Sequence, residues 1–163
     1  MVQSLGAQVS TECRTGEPGG VSFRALLETV RYEGAYPTRE RAEAVTRDVL
    51  AALGRQLVAD ERVDLARALP EEAARVLVAQ VPATETLTAW GFVKDFAART
   101  GGTPATARWD IGAVLPAVAR IAGPALTARV LAQLPEGYAL LFGQVELPVP
   151  RAESEPGPVA QAA

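Results

Sequence analysis

The sequence predicts a single all-α domain built from two similar units of about four helices each. Two observations lead to this prediction: apolar residues recur at helical spacing over most of the chain, and the pattern of the first half returns in the second half. A chain of 163 residues, 48% of them hydrophobic, suits one domain with a sizeable core. Two units are too few for an open solenoid, so we expect the halves to pack face to face in one compact bundle.

The first two helices are predicted from their caps and apolar stripes. Ser22 can cap a helix whose apolar residues fall at i, i+3, i+4 and i+7 from Phe23 to Val30, and Gly34 is a plausible stop. Thr38 can cap a longer helix. Its apolar residues recur at every fourth position, at Val45, Val49, Leu53 and Leu57.

A third, short helix is predicted over about residues 60–68. Pro70 disfavours helical geometry at Leu69 and suits the first position of a fourth helix. Glu71 and Glu72 would then lie next to the positive end of that helix.

The second unit repeats these signals. When Pro70 is aligned with Pro135, Leu69-Pro70-Glu71 falls on Leu134-Pro135-Glu136, and residues 49–77 show 8 identities in 29 positions without a gap. Thr38 falls on Thr103, which precedes a proline at the first helical position. The opening helix has its counterpart in residues 90–97 if the loop 34–37 is two residues longer than Gly101-Gly102. The units are therefore predicted at about residues 22–80 and 88–143.

Pro116 lies inside the second long helix, where the first unit has Ala51. An interior proline costs about 3 kcal/mol and bends a helix. Two outcomes stay open from the sequence: the helix is kinked, or it begins later, near Asp110.

The predicted core combines apolar positions of both units. It contains Leu26, Val49, Leu53, Leu69, Val93, Val114, Leu115, Val118, Leu134 and Phe142. Trp90, Phe92, Phe96 and Trp109 could line a ligand pocket, but aromatic residues at helical spacing are more often part of the core.

Both ends of the chain differ from this helical region in composition. Residues 1–20 are predicted to be a disordered arm, and residues 144–163 a Pro-rich disordered tail. Cys13, the single cysteine, cannot form an intramolecular disulfide, and no signal-like or membrane-spanning run is present. The sequence therefore predicts a cytoplasmic protein without a membrane partner.

The charge balance gives no general attraction to nucleic acid. The net charge is −3, and 15 arginines against one lysine, with many alanines, suggest a G+C-rich genome. A local arginine face on the second helix would still permit nucleic-acid binding. The candidate residues are Arg39, Arg41, Arg47 and Arg55.

The residue types needed for common catalytic and metal sites are scarce. The chain has no histidine and one cysteine, so we expect no catalytic residue, no metal site and no cofactor. An enzymatic function would have to use carboxylates and arginine, and a cleft with raised carboxylate pKa values would be its first support. Five acidic residues lie close together in the sequence, and we predict that they form a solvated face rather than a cation site. They are Asp60, Glu61, Asp64, Glu71 and Glu72.

Two further patterns have an alternative functional interpretation. Gly101-Gly102 opens a helix where a phosphate can bind, but the pattern of a turn and cap fits better. The two Leu-Pro turns resemble helix-turn-helix motifs, in which the second helix enters the DNA groove. Here the second helix of the first copy would begin with the acidic Glu71-Glu72. The second helix of the other copy would begin with Glu136 and is too apolar to lie in a groove.

The order of these segments resembles a known bacterial family. The segments are SFRALLETV, RERAEAVTRDVLAALGRQL, a short helix ending in Leu-Pro, WGFVKDFAART and the closing LPEGYALLFG. Over residues 22–143 they resemble the domain of unknown function 2267. The resemblance implies an all-helical tandem domain and brings no activity or catalytic residues. Pro116 and the Ala-rich start of the second long helix depart from the family pattern.

These observations predict a non-catalytic protein-interaction or regulatory module that binds an unidentified protein partner by a helix face or by its Pro-rich tail. The alternative is a nucleic-acid-binding protein that uses the arginine face, which would bind with strong salt dependence.

Overall fold

The computed structural model describes residues 20–144, and this part of the chain folds into eight α-helices. Apart from Gly20 and Gln144, the predicted arm and tail, with Cys13, lie outside the described residues. The helices are α1 (Phe23–Glu33), α2 (Arg39–Gln56), α3 (Ala59–Ala68), α4 (Glu71–Val78), α5 (Ala89–Thr100), α6 (Pro104–Ala122), α7 (Pro124–Gln133) and α8 (Tyr138–Leu141). The predicted all-α class is confirmed.

Helices α1 and α5 are equivalent openings of the two units. Ser22 Oγ accepts a hydrogen bond from the Ala25 amide at 3.2 Å, and Thr88 Oγ1 accepts one from the Gly91 amide at 3.0 Å. These bonds satisfy amides that have no partner within the helix. The helices then bury residues at matching distances from the cap, Leu26, Leu27 and Val30 in α1 and Phe92, Val93 and Phe96 in α5.

Helices α2 and α6 are the long central helices of the units. Thr38 caps α2, and Thr103 caps α6 in a reciprocal capping box with Thr106. Helix α6 begins at Pro104 and continues past Pro116, so the alternative in which it starts near Asp110 is wrong. The cap and the initial proline set the start of the helix, and the interior proline does not move it.

The Leu-Pro step closes each unit in the same way. Leu69 and Leu134 both leave the helix with extended backbone, at ψ values of 154° and 149°. Pro70 lies at the cap of α4 and not at its first helical position, a shift of one residue from the prediction. The second unit ends in a single turn, α8, because Gly137, which falls on Glu72 in the first turn of α4, has a left-handed backbone with φ +94°.

The two units face each other through reciprocal contacts. Helix α2 packs on α6 and α3 on α7, while α1 contacts α6 and α5 contacts α2. All ten predicted core residues are buried. The connection between the units is fixed to α2, since the buried Gln56 Oε1 accepts the Leu87 amide at 2.8 Å. The predicted face-to-face packing therefore describes the structure.

Candidate functional site

The four arginines of the predicted nucleic-acid face all lie on α2, but not on one side of it. At about 100° per residue they spread over about 200° of the helix surface. Three of the four form ion pairs: Arg39 with Glu28 at 2.9 Å, Arg47 with Glu43 at 2.7 Å and Arg41 with Asp110 at 3.6 Å. The structure brings only Arg41 and Arg55 into a common cleft.

This cleft lies between the two units and has a volume of about 460 Å³. We call it the inter-unit cleft. Helix α2 forms one wall, and α5, the Gly101-Gly102 turn and the start of α6 form the other. Its charged residues are Arg41, Asp48 and Arg55 from the first unit and Arg99 and Asp110 from the second.

Asp110 is already engaged within the fold. The buried Tyr36 donates its hydroxyl to Asp110 Oδ1 at 2.6 Å, and Arg41 approaches the other carboxylate oxygen. Burial, together with this hydrogen bond, holds the pKa of Tyr36 well above its usual value. Burial also raises the pKa of Asp48; the nearby Arg41 opposes this shift, and Asp110 contributes to it.

Arg55 has no carboxylate partner among the described residues. Its guanidinium donates to Gln80 Oε1 at 3.2 Å. Burial lowers the pKa of Arg55, and the positive charge of Arg99 acts in the same direction against the opposing Asp95. Asp95 itself accepts a hydrogen bond from Arg99 Nε at 2.7 Å. Two arginines of like charge, Arg55 and Arg99, thus face the same cleft.

A second candidate site is a depression on the outer side of α6. It has a volume of about 360 Å³ and is lined by Ala105, Arg108, Trp109, Gly112, Ala113 and the α1 residue Glu33. We call it the Trp109 surface. The indole Nε1 of Trp109 donates to the Gly34 carbonyl at 3.0 Å, which fixes the ring across the end of α1.

The aromatic residues divide between core and surface. Phe92 and Phe96 are buried, as predicted, and Phe92 packs against Tyr138 with 5.4 Å between ring centroids. The expectation that the tryptophans belong to the core is wrong, because Trp90 is 57% exposed and Trp109 is 60% exposed. Helical spacing shows which residues share one face of a helix, but it does not show whether a neighbouring helix covers that face.

Two of the five carboxylates singled out in the sequence, Glu61 and Asp64, take part in the contact between the units. Glu61 and Asp64 accept hydrogen bonds from Arg129 at 3.3 and 2.9 Å. Arg129 lies on α7 at the position equivalent to Asp64 on α3, and these two helices pack against each other. Equivalent positions of the repeat therefore carry opposite charges that meet across the contact. Glu71 pairs within its own helix with Arg75. Within residues 20–144 no group of three potential ligands is arranged to hold a metal ion.

The glycine pair and the Leu-Pro turns have structural roles. Gly101 ends α5 in the left-handed conformation, with φ +70°, and its amide donates to the Ala97 carbonyl, so the pair forms the predicted turn and cap. It also lines the inter-unit cleft. Helix α8 consists of four residues and buries Tyr138 and Leu141, a geometry unsuited to a DNA groove.

Sequence reasoning missed Asp48, Arg99, Asp110 and the exposure of Trp109. One signal appears when the caps Ser22 and Thr88 are aligned: Arg99 then falls on Glu33, so a charge changes sign between equivalent positions. The cleft itself was not predictable from spacing, because it joins residues that are far apart in the chain.

The fold and these sites define a class of protein: a compact helical tandem domain with a charged cleft where its halves meet. The chain matches the family described as uncharacterized conserved protein (DUF2267) over residues 23–141, and it belongs to that family. The resemblance drawn from the sequence is thereby confirmed. A search of curated proteins found no match. Within residues 20–144 no helix is both long and apolar enough to cross a bilayer.

Proposed function

We propose that this chain is a non-catalytic module that binds a protein partner through the Trp109 surface. The observation that supports this proposal is a tryptophan side chain 60% exposed yet held by a hydrogen bond from its indole nitrogen. A fixed ring loses little conformational entropy on binding, and tryptophan is enriched among residues that dominate interface energies.

The neighbours of Trp109 indicate the chemistry of the partner. Ala105 and Ala113 lie one turn away on either side, and a Cβ at Gly112 would meet no heavy atom within 4 Å. Small side chains leave space beside the indole for an aliphatic or prolyl side chain. Arg108 at the edge can pair with a negative charge that flanks this apolar side chain, whereas Glu33 is already paired with Arg120. The partner would present such a segment on a helix or in extended form.

An enzymatic function has one supporting observation, the raised pKa of Asp48 in the inter-unit cleft. A general acid acts together with a base or nucleophile within hydrogen-bond reach. The other carboxylate of the cleft, Asp110, is instead bound to Tyr36 and Arg41. We therefore favour binding over catalysis. A turnover by the purified protein that Asp48→Asn abolishes would contradict this choice.

Nucleic-acid binding through α2 is less favoured by the geometry. Because three of the four candidate arginines are ion-paired and the set spreads around the helix, few guanidinium groups are left to contact phosphates on one side. Salt-dependent capture of nucleic acid that is lost when Arg39 and Arg47 are replaced by glutamine would reverse this assessment.

The proposal is tested by affinity capture of the intact protein from its native lysate, with nuclease, followed by mass spectrometry. The variants are Trp109→Ala, Gly112→Leu, which fills the depression while keeping the indole bond, and Trp90→Ala as the exposed-tryptophan control. We expect a stoichiometric protein partner that is retained by Trp90→Ala and lost with both other variants.

Circular dichroism and thermal unfolding verify that each variant is folded. A partner that all variants retain equally would contradict the assignment to the Trp109 surface. Recovery of proteins only in the absence of nuclease would favour nucleic-acid binding.

A further inference from the structure

At one pair of equivalent positions, the two units carry different combinations of charge. In the contact between α6 and α1, Arg120 donates to Glu33 Oε1 from both Nη1 and Nη2 at 3.3 Å. The equivalent of Arg120 in the first unit is Arg55, in the register that aligns Pro70 with Pro135. Aligning the caps Ser22 and Thr88 places Arg99 on Glu33. In this alignment the loop that follows the opening helix is one residue longer in the first unit, and not two residues longer as the sequence predicted. One half of the fold thus holds an ion pair where the other half holds two arginines.

This arrangement leaves the guanidinium group of Arg55 without a carboxylate partner inside a concave site. Arg55 is partly buried and has no carboxylate partner among residues 20–144, and the charge of Arg99 lowers its pKa further. Asp95 pairs with Arg99 alone. An anion bound between the two guanidinium groups would supply the charge that Glu33 supplies to Arg120, and partial burial would strengthen the attraction.

The remainder of the cleft limits the ligand to a small organic molecule. Val45 and Phe96 contribute apolar surface, and Thr100 contributes a hydroxyl. Asp48 lies on the same side of α2 two turns before Arg55, a rise of about 10 Å. A volume of about 460 Å³ is in the range of small-molecule pockets.

We propose that the inter-unit cleft binds a small organic anion, a carboxylate or a phosphate ester, whose charged group lies between Arg55 and Arg99. The apolar part of the ligand packs on Val45 and Phe96. Because Arg55 belongs to the first unit and Arg99 to the second, the ligand joins the two halves of the domain. This site is separate from the Trp109 surface, so either proposal can fail without the other.

The experiment follows the Nε–H signals of the arginine side chains by NMR in the full-length protein. The probes are phenyl phosphate, benzoate and neutral benzyl alcohol, each added at constant ionic strength. We expect phenyl phosphate or benzoate to shift the Arg55 and Arg99 signals with saturation, and benzyl alcohol to leave them unchanged. The anion that binds more tightly identifies the source as a phosphate ester or a carboxylic acid.

Two variants use the Arg120–Glu33 pair as an internal reference. Arg99→Glu recreates that arrangement within the cleft and should weaken binding by about tenfold or more. Arg120→Gln removes the reference ion pair and should bind as the parent protein does. Since the Arg99 side chain is exposed, the Arg99→Glu variant should fold. The Arg55→Gln variant provides a second test, because it removes the other guanidinium group of the proposed site.

The proposal is overturned if neither anion gives saturable shifts. It is also overturned if Arg99→Glu and Arg55→Gln bind with unchanged affinity, or if every surface arginine responds in proportion to anion concentration, which is the behaviour of nonspecific ion binding. Loss of binding in both cleft variants with retention in Arg120→Gln supports it.

Discussion

Two glycines inside long helices provide a paired test of the packing described above. Gly54 lies in α2 and Gly112 in α6, and alanine improves helix propensity by up to about 1 kcal/mol at either position. Their surroundings differ. Apart from its chain neighbours and the backbone of its own helix, a Cβ at Gly112 would meet no heavy atom within 4 Å, whereas a Cβ at Gly54 would lie 2.3 Å from the Leu77 carbonyl oxygen of α4.

The expected signs are therefore opposite. Gly112→Ala should stabilise the protein by about 0.5–1 kcal/mol, since it gains propensity without a steric cost. In Gly54→Ala, helix α4 has to retreat by several tenths of an ångström before the contact reaches 3.0 Å. Overpacking against backbone costs about 1–3 kcal/mol. Because the propensity gain is shared, the difference between the two variants measures this packing cost directly.

The assay is equilibrium unfolding in urea, monitored by circular dichroism, for the parent protein and both variants. Equal slopes of unfolding free energy against urea concentration would show that the comparison is valid. Gly54→Ala should unfold at lower urea than Gly112→Ala. If the two variants are equally stable, the close approach of α2 and α4 is not the constraint that the structure shows, and the reasoning is refuted.

Three further outcomes are expected. Gln56→Leu should destabilise the protein by about 1–3 kcal/mol in the same urea assay, since the Leu87 amide loses its buried acceptor; unchanged stability would contradict that role. Burial raises the pKa of Tyr36 and of Tyr138 in the folded protein. Their protonated hydroxyl groups therefore stabilise the folded state at pH values below the unfolded tyrosine pKa of about 10. Stability should fall as pH rises above that value, and less steeply in Tyr138→Phe; an equally steep fall in that variant would count against it. Pro116→Ala should stabilise the protein by up to about 3 kcal/mol, because alanine restores the helix amide that proline lacks. A lower midpoint of thermal unfolding in this variant would contradict the prediction and show that α6 accommodates the proline without that cost.

Much of the fold is predictable because the signals that define it are local. Caps such as Ser22, Thr38 and Thr103 act on amides two or three residues away, and all three cap helices in the structure. Most of the apolar positions predicted as core are buried because each lies on the stripe that its own helix turns toward the neighbouring helices. Leu69, Leu134 and Phe142 are buried at helix C-caps instead. The small errors also have local causes, such as the place of Pro70 at the cap.

The sites could not be predicted in the same way. Arg39, Arg41, Arg47 and Arg55 are close in sequence, but the turn of the helix separates them, and carboxylates from other helices pair with two of them. The inter-unit cleft forms only when α5 is placed against α2. Its like-charged pair, Arg55 and Arg99, is recognised in the repeat only after the caps Ser22 and Thr88 are aligned.

The sequence by itself determined the all-α class, the caps Ser22, Thr38 and Thr103, the twofold repeat and the ten core residues, because hydrogen bonding and apolar periodicity act over a few residues. Only the tertiary structure decided that Trp109 is exposed, that Arg120 meets Glu33, and that Arg55 lies near Arg99. The physical reason is that exposure and charge pairing depend on distances between helices. These distances are set by how the two units pack, and no spacing along a single helix contains them.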